Sequence, residues 1–326
     1  MSLSKSQARS GRNIFTSINT VTIGLFFILI STVGLVVATR QQEANVHRAN
    51  ELNGILADKE GPFVNYLLVG SDSRAGIDAN ELKTEHFGTV DGRRSDTVMI
   101  LHVDNVLDTV SILSVPRDLW LEIPDHGKNR LNAAYSYGAD VLVRTIQESL
   151  GIPLNHYLEI DFQGFKGLVD SIGGVQICTQ FPSRDKHTGL FMKPGCSTLD
   201  GVEALAFARS RFFEQKVDGE WQIDGSSDIG RTARQRSFVE ALLKSSVIGV
   251  AGNPFSVGNV MSGGLGAIVV DEQLDLIEFA KKMRPAASGN IASFPLAVYG
   301  DTINGNSVLQ LGEEAAPLLA FFNGSG

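Results

Sequence analysis

Arg93 to Asp118 reads RRSDTVMILHVDNVLDTVSILSVPRD, and the order of residue types along it decides the fold. Two apolar runs, Thr97 to Val103 and Thr109 to Val115, are rich in β-branched side chains. Each is short for a helix and fits a buried strand. Asp104-Asn105 lies between them and favours a turn, so the spacing predicts a hairpin. In a hairpin the start of one strand lies beside the end of its partner. Arg94 and Asp96 are therefore expected near Arg117, at one end of the pair.

The flanking sequence extends this pattern. Val64 to Val69 (VNYLLV) is another apolar run, followed by Gly70 and then Asp72 and Arg74. If this strand runs antiparallel to the second, Asp72 joins the same edge. Tyr157 to Ile160 and Ile291 to Val298 read as further strands. Helical stretches alternate with them. Ala139 to Leu150 is amphipathic and closes at Gly151, and Phe162 to Ile172 closes at Gly173-Gly174. Asp200 precedes Gly201-Val202-Glu203 in the pattern of a capping box. Asp228 to Val247 (with Asp228 as cap), Asp271 to Met283 and Glu313 to Phe322 complete the set. The class expected is α/β, a central mostly antiparallel or mixed sheet flanked by helices.

Composition narrows the function. The 326 residues carry a formal net charge of −8, which disfavours a general nucleic-acid binder, because phosphate backbones need a basic footprint. Two cysteines are too few for a disulfide-stapled miniprotein or a zinc ribbon. The 34 glycines follow no short period, so collagen-like sequence is out. There is no G-x-S-x-G, H-E-x-x-H or G-x-x-x-x-G-K-[ST] motif. His47, His86, His102, His126, His156 and His187 are dispersed, with no pair at metal-ligand spacing.

The N-terminus points to a membrane. No charged residue lies between Arg12 and Arg40, and the core of that stretch reads VTIGLFFILISTVGLVVA (Val21 to Ala38). A helix over 14–39 would cross a hydrocarbon layer of roughly 30 Å. Lys5, Arg9 and Arg12 precede it, which predicts a cytoplasmic N-terminus and an exported body. A cleaved signal peptide and a buried core helix are the competing readings. The expected organisation is a tail at 1–13, a transmembrane helix at 14–39, a linker at 40–61, a catalytic domain at 62–250 and a C-terminal part at 251–326. In an oxidising exterior, Cys178 and Cys196 are expected to pair rather than stay as free thiols.

The charged residues suggest a chemistry. Five arginines, Arg209, Arg211, Arg231, Arg234 and Arg236, gather in an otherwise acidic chain. Arg231, Arg234 and Gln235 share a helix face by spacing. Arginine forks suit phosphate oxygens, and carboxylates without a nearby His or Cys suit a hard cation such as Mg²⁺. Together they describe a magnesium-assisted pyrophosphate site. Taken singly, each Asp–Arg pair reads as a surface salt bridge and the arginine run as a solvated helix face.

Seven segments in order resemble the LytR-CpsA-Psr family of cell-wall glycopolymer ligases. They are YLLVGSDSR (Tyr66 to Arg74), RRSDTVMILHVD, SILSVPRDLWLEIP, RLNAAYSYG (Arg130 to Gly138), YLEIDFQGFKGLVDSIGGVQI, LDGVEALAFARSR and DIGRTARQRSF. The resemblance implies a groove for a polyprenyl lipid and a glycopolymer–peptidoglycan phosphotransferase. The donor implied is a polyprenyl-pyrophosphate-linked glycopolymer, the acceptor peptidoglycan, and the setting the cytoplasmic membrane, with no nucleic acid. Asp72 and Asp96 fall at the family's magnesium (or Mn²⁺) aspartates. Arg94, Arg117, Arg209, Arg211 and Arg231 fall at its pyrophosphate-binding arginines and Gln235 at their polar partner. Arg130 stands where many members have lysine. The loop Ala75 to Gly92 between the two aspartates is longer than in many relatives. Asp72 and Arg231 are the expected catalytic residues, and Arg231 and Asp96 are those on which most is expected to depend. Two other functions fit the same residues. One is a polyprenyl-pyrophosphate hydrolase, with water as acceptor. The other is a non-catalytic membrane-anchored binder or regulator.

Overall fold

A computed structural model of the chain describes residues 46–58, 61–71, 95–224, 227–252 and 268–325. The strands and helices in chain order are β1 (His47–Arg48), β2 (Phe63–Ser71), β3 (Ser95–Asp104), β4 (Thr109–Val115), β5 (Trp120–Ile123) and β6 (Gly127–Arg130). Next come α1 (Leu131–Tyr137), α2 (Ala139–Leu150), β7 (His156–Ile160), α3 (Phe162–Ser171), β8 (Val175–Thr179), β9 (Ser183–Asp185), β10 (Leu190–Met192) and β11 (Gly195–Leu199). Then follow α4 (Gly201–Arg209), β12 (Glu214–Val217), β13 (Glu220–Ile223), α5 (Ser227–Gly252), β14 (Ile268–Val270), α6 (Leu276–Lys282) and α7 (Arg284–Ala287). The last are β15 (Ile291–Pro295), β16 (Val298–Ile303), β17 (Asn306–Leu311) and α8 (Ala315–Asn323).

A seven-stranded mixed sheet, β1-β14-β7-β2-β3-β4-β15, forms the centre. The hairpin is present: β3 and β4 pair antiparallel from Val98↔Val115 to Asp104↔Thr109. The Asp104 carboxylate closes its turn by accepting the amides of Val106 (2.7 Å) and Leu107 (2.8 Å). β2 also runs antiparallel to β3, while β7 lies parallel to β2. The strands read as near-continuous apolar runs because both sheet faces are covered. Leu67, Val69, Ile100, Leu113 and Tyr157 pack on one face with Leu131, Leu142, Ile146 and Phe322 of α1, α2 and α8. Tyr66, Met99, Leu101, Val110 and Ile112 pack on the other with Leu243 of α5 and Ala286 of α7. Burying this apolar area is the main favourable term in the fold.

A second, smaller layer carries its own core: Val169, Val175, Leu190, Met192, Phe207, Phe213 and Phe238. It is built from α3, α4, the β8–β11 pair and the sheet β10-β9-β12-β13. Cys178 and Cys196 stand opposite each other in the β8–β11 register and are joined by a disulfide. Gly201 is required where α4 meets α3, because a Cβ there would lie 2.5 Å from the Lys166 carbonyl oxygen. The capping box at Asp200 and Glu203 is formed.

Several expectations need correction. The helix read over 271–283 begins only after Asp275, whose carboxylate caps Ile277 and Glu278. Asp271 is instead turned inward, accepting bonds from the Tyr157 amide and His156. The strand read over 291–298 breaks after Pro295, and Val298 starts a separate hairpin with β17. The linker at 40–61 is not a free stalk in its described part. Val46, Ala49 and Leu52 are buried and β1 pairs with β14. The C-terminal part contributes β14 and β15 to the central sheet. The span expected at 14–39 lies outside the described residues. Among those described, no helix is long and apolar enough to cross a membrane.

Candidate functional site

One end of the central sheet gathers four strand termini. Gly70 of β2 pairs with Thr97 of β3 and with Ile160 of β7, and Val98 of β3 pairs with Val115 of β4. Register shifts between Gly70 and Ser71, so the β2–β3 ladder ends in a bulge at this edge. Asp96 is placed on β3 beside that bulge. Asp72 and Arg94 lie outside the described residues, and nothing is described of the side chain of Asp96.

Arg117 lies two residues past the end of β4. Its Nε lies 3.4 Å from the Asp118 carboxylate, and Arg130 Nη1 lies 3.5 Å from the other oxygen of the same group. Asp118 thus draws together two of the expected phosphate-binding cations. The loop is fixed from below, because the Arg117 carbonyl accepts the Asn132 amide at the start of α1.

Arg209 ends α4, and its guanidinium sits over the Phe162 ring at 4.7 Å. Phe162 begins α3, two residues after Ile160, so this contact brings α4 to the same sheet end. Asp161 caps α3 through the Gly164 amide, and burial raises its pKa above the ordinary carboxylate value. Helix α5 lies alongside. Arg231, Arg234 and Gln235 are all buried there, as the shared face requires. Gln235 Nε2 donates to the Ala208 carbonyl (3.2 Å). Arg234 donates to the Ser210 carbonyl (2.7 Å) and pairs with Asp224 (2.7 Å). Burial lowers the Arg234 pKa, and Asp224 opposes that shift. Two side chains of α5 therefore clamp the Arg209–Arg211 turn, while Arg231 sits one helical turn before Gln235. The structure brings Arg209, Arg211 and Arg231 onto two clamped elements and joins Arg117 to Arg130. It gives Gln235 a bond to the backbone of α4.

Two features escaped the sequence reading. Arg234 looks like one more exposed helix cation and is a buried strut. Glu159 of β7 is buried and accepts hydrogen bonds from the hydroxyls of Tyr135 (2.5 Å) and Tyr157 (2.7 Å). A charged residue inside an apolar strand run was the available signal.

Among the described residues there is no group of three or more metal-ligating side chains. The local donors still suit a hard cation. Ser71 Oγ is buried and has no hydrogen-bond partner among the described residues, beside Asp72 in sequence and the bulge carrying Asp96. Oxygen donors of this kind fit Mg²⁺ or Mn²⁺.

The sequence profile of the LytR_cpsA_psr family matches residues 29–318. The chain belongs to the LytR_cpsA_psr family. "Probable cell wall biosynthesis protein LcpB" of Corynebacterium glutamicum is 33% identical over 77% of this LytR_cpsA_psr chain and 59% of its own length. "Polyisoprenyl-teichoic acid--peptidoglycan teichoic acid transferase TagU" of Oceanobacillus iheyensis is 28% identical over 86% of the chain and 82% of its own. The "LytR-Csp2A-Psr enzyme from Actinomyces oris" shares the fold, with TM-score 0.62 and 24% identity over 85% of this chain and 96% of its own. "TagT bound to LI-WTA" shares it too, with TM-score 0.62 and 23% identity over 83% and 95%.

Proposed function

We propose that this chain moves a glycopolymer, with its proximal phosphate, from a polyprenyl-pyrophosphate carrier onto a hydroxyl of peptidoglycan. Two observations support the reading: Asp118 pairs with both Arg117 and Arg130 after β4, and α5 side chains hold the turn that carries Arg209 and Arg211. Membership of the family and the transferase activity for which TagU is named support the same chemistry.

Arg117, Arg130, Arg209, Arg211 and Arg231, with Arg94, hold the two phosphates and stabilise charge as it builds on the leaving group. The acceptor oxygen attacks the sugar-bearing phosphorus in line. A new P–O bond forms to peptidoglycan, and the bond to the lipid phosphate breaks. Polyprenyl phosphate leaves, and Asp72 takes the hydroxyl proton or orients it. Asp72 and Asp96 would hold Mg²⁺ or Mn²⁺, which neutralises phosphate charge when bound. Gln235 acts from α5 by holding the arginine turn through the Ala208 carbonyl. In this reading the segment 14–39 anchors the chain in the cell membrane, with the N-terminus cytoplasmic and the body outside. The lipid tail lies in an apolar groove between sheet and helices, where each buried CH₂ contributes about 0.8 kcal/mol.

The test counts products from the full chain given a lipid-linked glycopolymer, Mg²⁺ and peptidoglycan. The expected product is polymer joined to peptidoglycan through a phosphodiester, and no polymer is released when acceptor is left out. Equal release of polyprenyl phosphate with and without acceptor would make it a hydrolase. Binding without turnover would make it a binder or regulator.

A further inference from the structure

Asp185 is fully buried beneath the turn that carries Arg209 and Arg211. It belongs to β9, in a sheet the phosphate chemistry does not otherwise use. One carboxylate oxygen accepts the amides of His187 (2.8 Å) and Thr188 (3.4 Å), closing the turn after β9. The other accepts the Ser210 hydroxyl (2.6 Å) and the Phe212 amide (3.0 Å). Ser210 and Phe212 flank Arg211, and Ser210 follows Arg209 directly.

The same turn is gripped from its other side by α5. Arg234 donates to the Ser210 carbonyl and Gln235 to the Ala208 carbonyl. His187 adds a ring contact to Phe212 at 4.3 Å, and its Nδ1 lies 3.5 Å from Asp185. Burial alone would raise the Asp185 pKa. The hydrogen bonds from Ser210, Phe212, His187 and Thr188 outweigh it and leave the pKa below the ordinary value. The group is therefore a fixed anion under a cationic turn. A carboxylate with four donors at defined distances is a rigid anchor, and the backbone at Arg211 has little freedom while it is in place.

We propose that Asp185 is a positioning residue for diphosphate recognition, holding the Ser210–Phe212 segment so that Arg209 and Arg211 present their forks together. The proposal rests on the arginine site described above. It assigns no contact with substrate to Asp185, which acts through the turn.

The test measures binding of farnesyl diphosphate and farnesyl monophosphate to the full chain in detergent. The variants are Asp185→Asn, Ser210→Ala, Arg211→Ala and the double variant Asp185→Asn with Arg211→Ala, and the melting curve of each reports its folding. A positioned pair of forks reads two phosphates, so Asp185→Asn should weaken diphosphate binding about tenfold and monophosphate binding much less. The double variant should bind no worse than Arg211→Ala alone, because both remove the same interaction. Ser210→Ala should move the same way with a smaller effect, and it carries the test if Asp185→Asn does not fold. The proposal is overturned if a folded Asp185→Asn or Ser210→Ala keeps the wild-type preference for diphosphate while Arg211→Ala loses it. Full additivity in the double variant would also overturn it. If Arg211→Ala itself keeps wild-type diphosphate binding, the arginine site fails, and the positioning role fails with it.

Discussion

The two ends of the central sheet treat polar groups in opposite ways. At the far end, buried polar side chains satisfy one another. Asn65 Oδ1 accepts from His102 Nδ1 (2.8 Å), and its amide nitrogen donates to the carbonyls of Pro153 and Phe322. Asp271 meets His156 at 3.0 Å and also accepts the amides of Tyr157 and Gln273. Arg48 ties the same corner to the carbonyls of Asp271 and Leu274. At the near end, cations gather while the described carboxylates there are already engaged: Asp118 by two arginines, Asp224 by Arg234 and Asp185 by hydroxyl and amides. A buried polar cluster that closes on itself stabilises a fold. One that accumulates a single sign of charge suits an oppositely charged ligand.

The largest test of this contrast is Arg231→Ala. Transfer to peptidoglycan by the folded variant should fall about 100- to 1000-fold, the scale of losing one preorganised charge donor. Product counts under saturating donor would check it. The mirror experiment is Asp271→Ala at the far end. It strips the partner from buried His156 and should cost about 3 kcal/mol of stability, as breaking a buried pair does. Transfer per folded molecule should stay at the wild-type level, measured after correction for the folded fraction.

The disulfide asks whether the arginine end has its own scaffold. Cys178 and Cys196 are 18 residues apart in sequence, so Cys178→Ser should lower stability by about 2 to 3 kcal/mol. Denaturant melts with and without reductant would read it. The pH dependence of the far end is smaller. Burial raises the Asp271 pKa, but bonds from His156, Tyr157 and Gln273 bring it below the ordinary carboxylate value. A depressed folded pKa gives stability that is present above the unfolded pKa and lost as pH falls through the folded one. The melting temperature should therefore drop below about pH 4, with a shallower slope in Asp271→Asn. At the small extreme, Asp125→Ala removes an exposed pair with Arg144 and should change stability by less than about 0.5 kcal/mol.

Much of this was legible from residue order. The hairpin and the ends of Ala139–Leu150 followed from periodicity and closing glycines, because each segment's local preference agrees with its packing. The small sheet was not legible. Ser183–Asp185 and Leu190–Met192 are three residues each, too short to show alternation. Asp271 reads as the start of a helix because its role as a buried acceptor is set by the neighbouring strand and leaves no local signal. The arginine end was legible as a set of residues but not as roles. Arg231, Arg234 and Gln235 share one face by spacing, whereas only the carbonyls of α4 show that Arg234 and Gln235 hold the turn.

The central claim is that the near end binds a diphosphate and the far end supports it. The direct measurement is calorimetric titration of the full chain with a polyprenyl diphosphate, comparing wild type, Arg231→Ala and Asp271→Ala. Arg231→Ala should bind at least about tenfold more weakly, and folded Asp271→Ala should match wild type. Equal weakening in both variants, or none in Arg231→Ala, would contradict it.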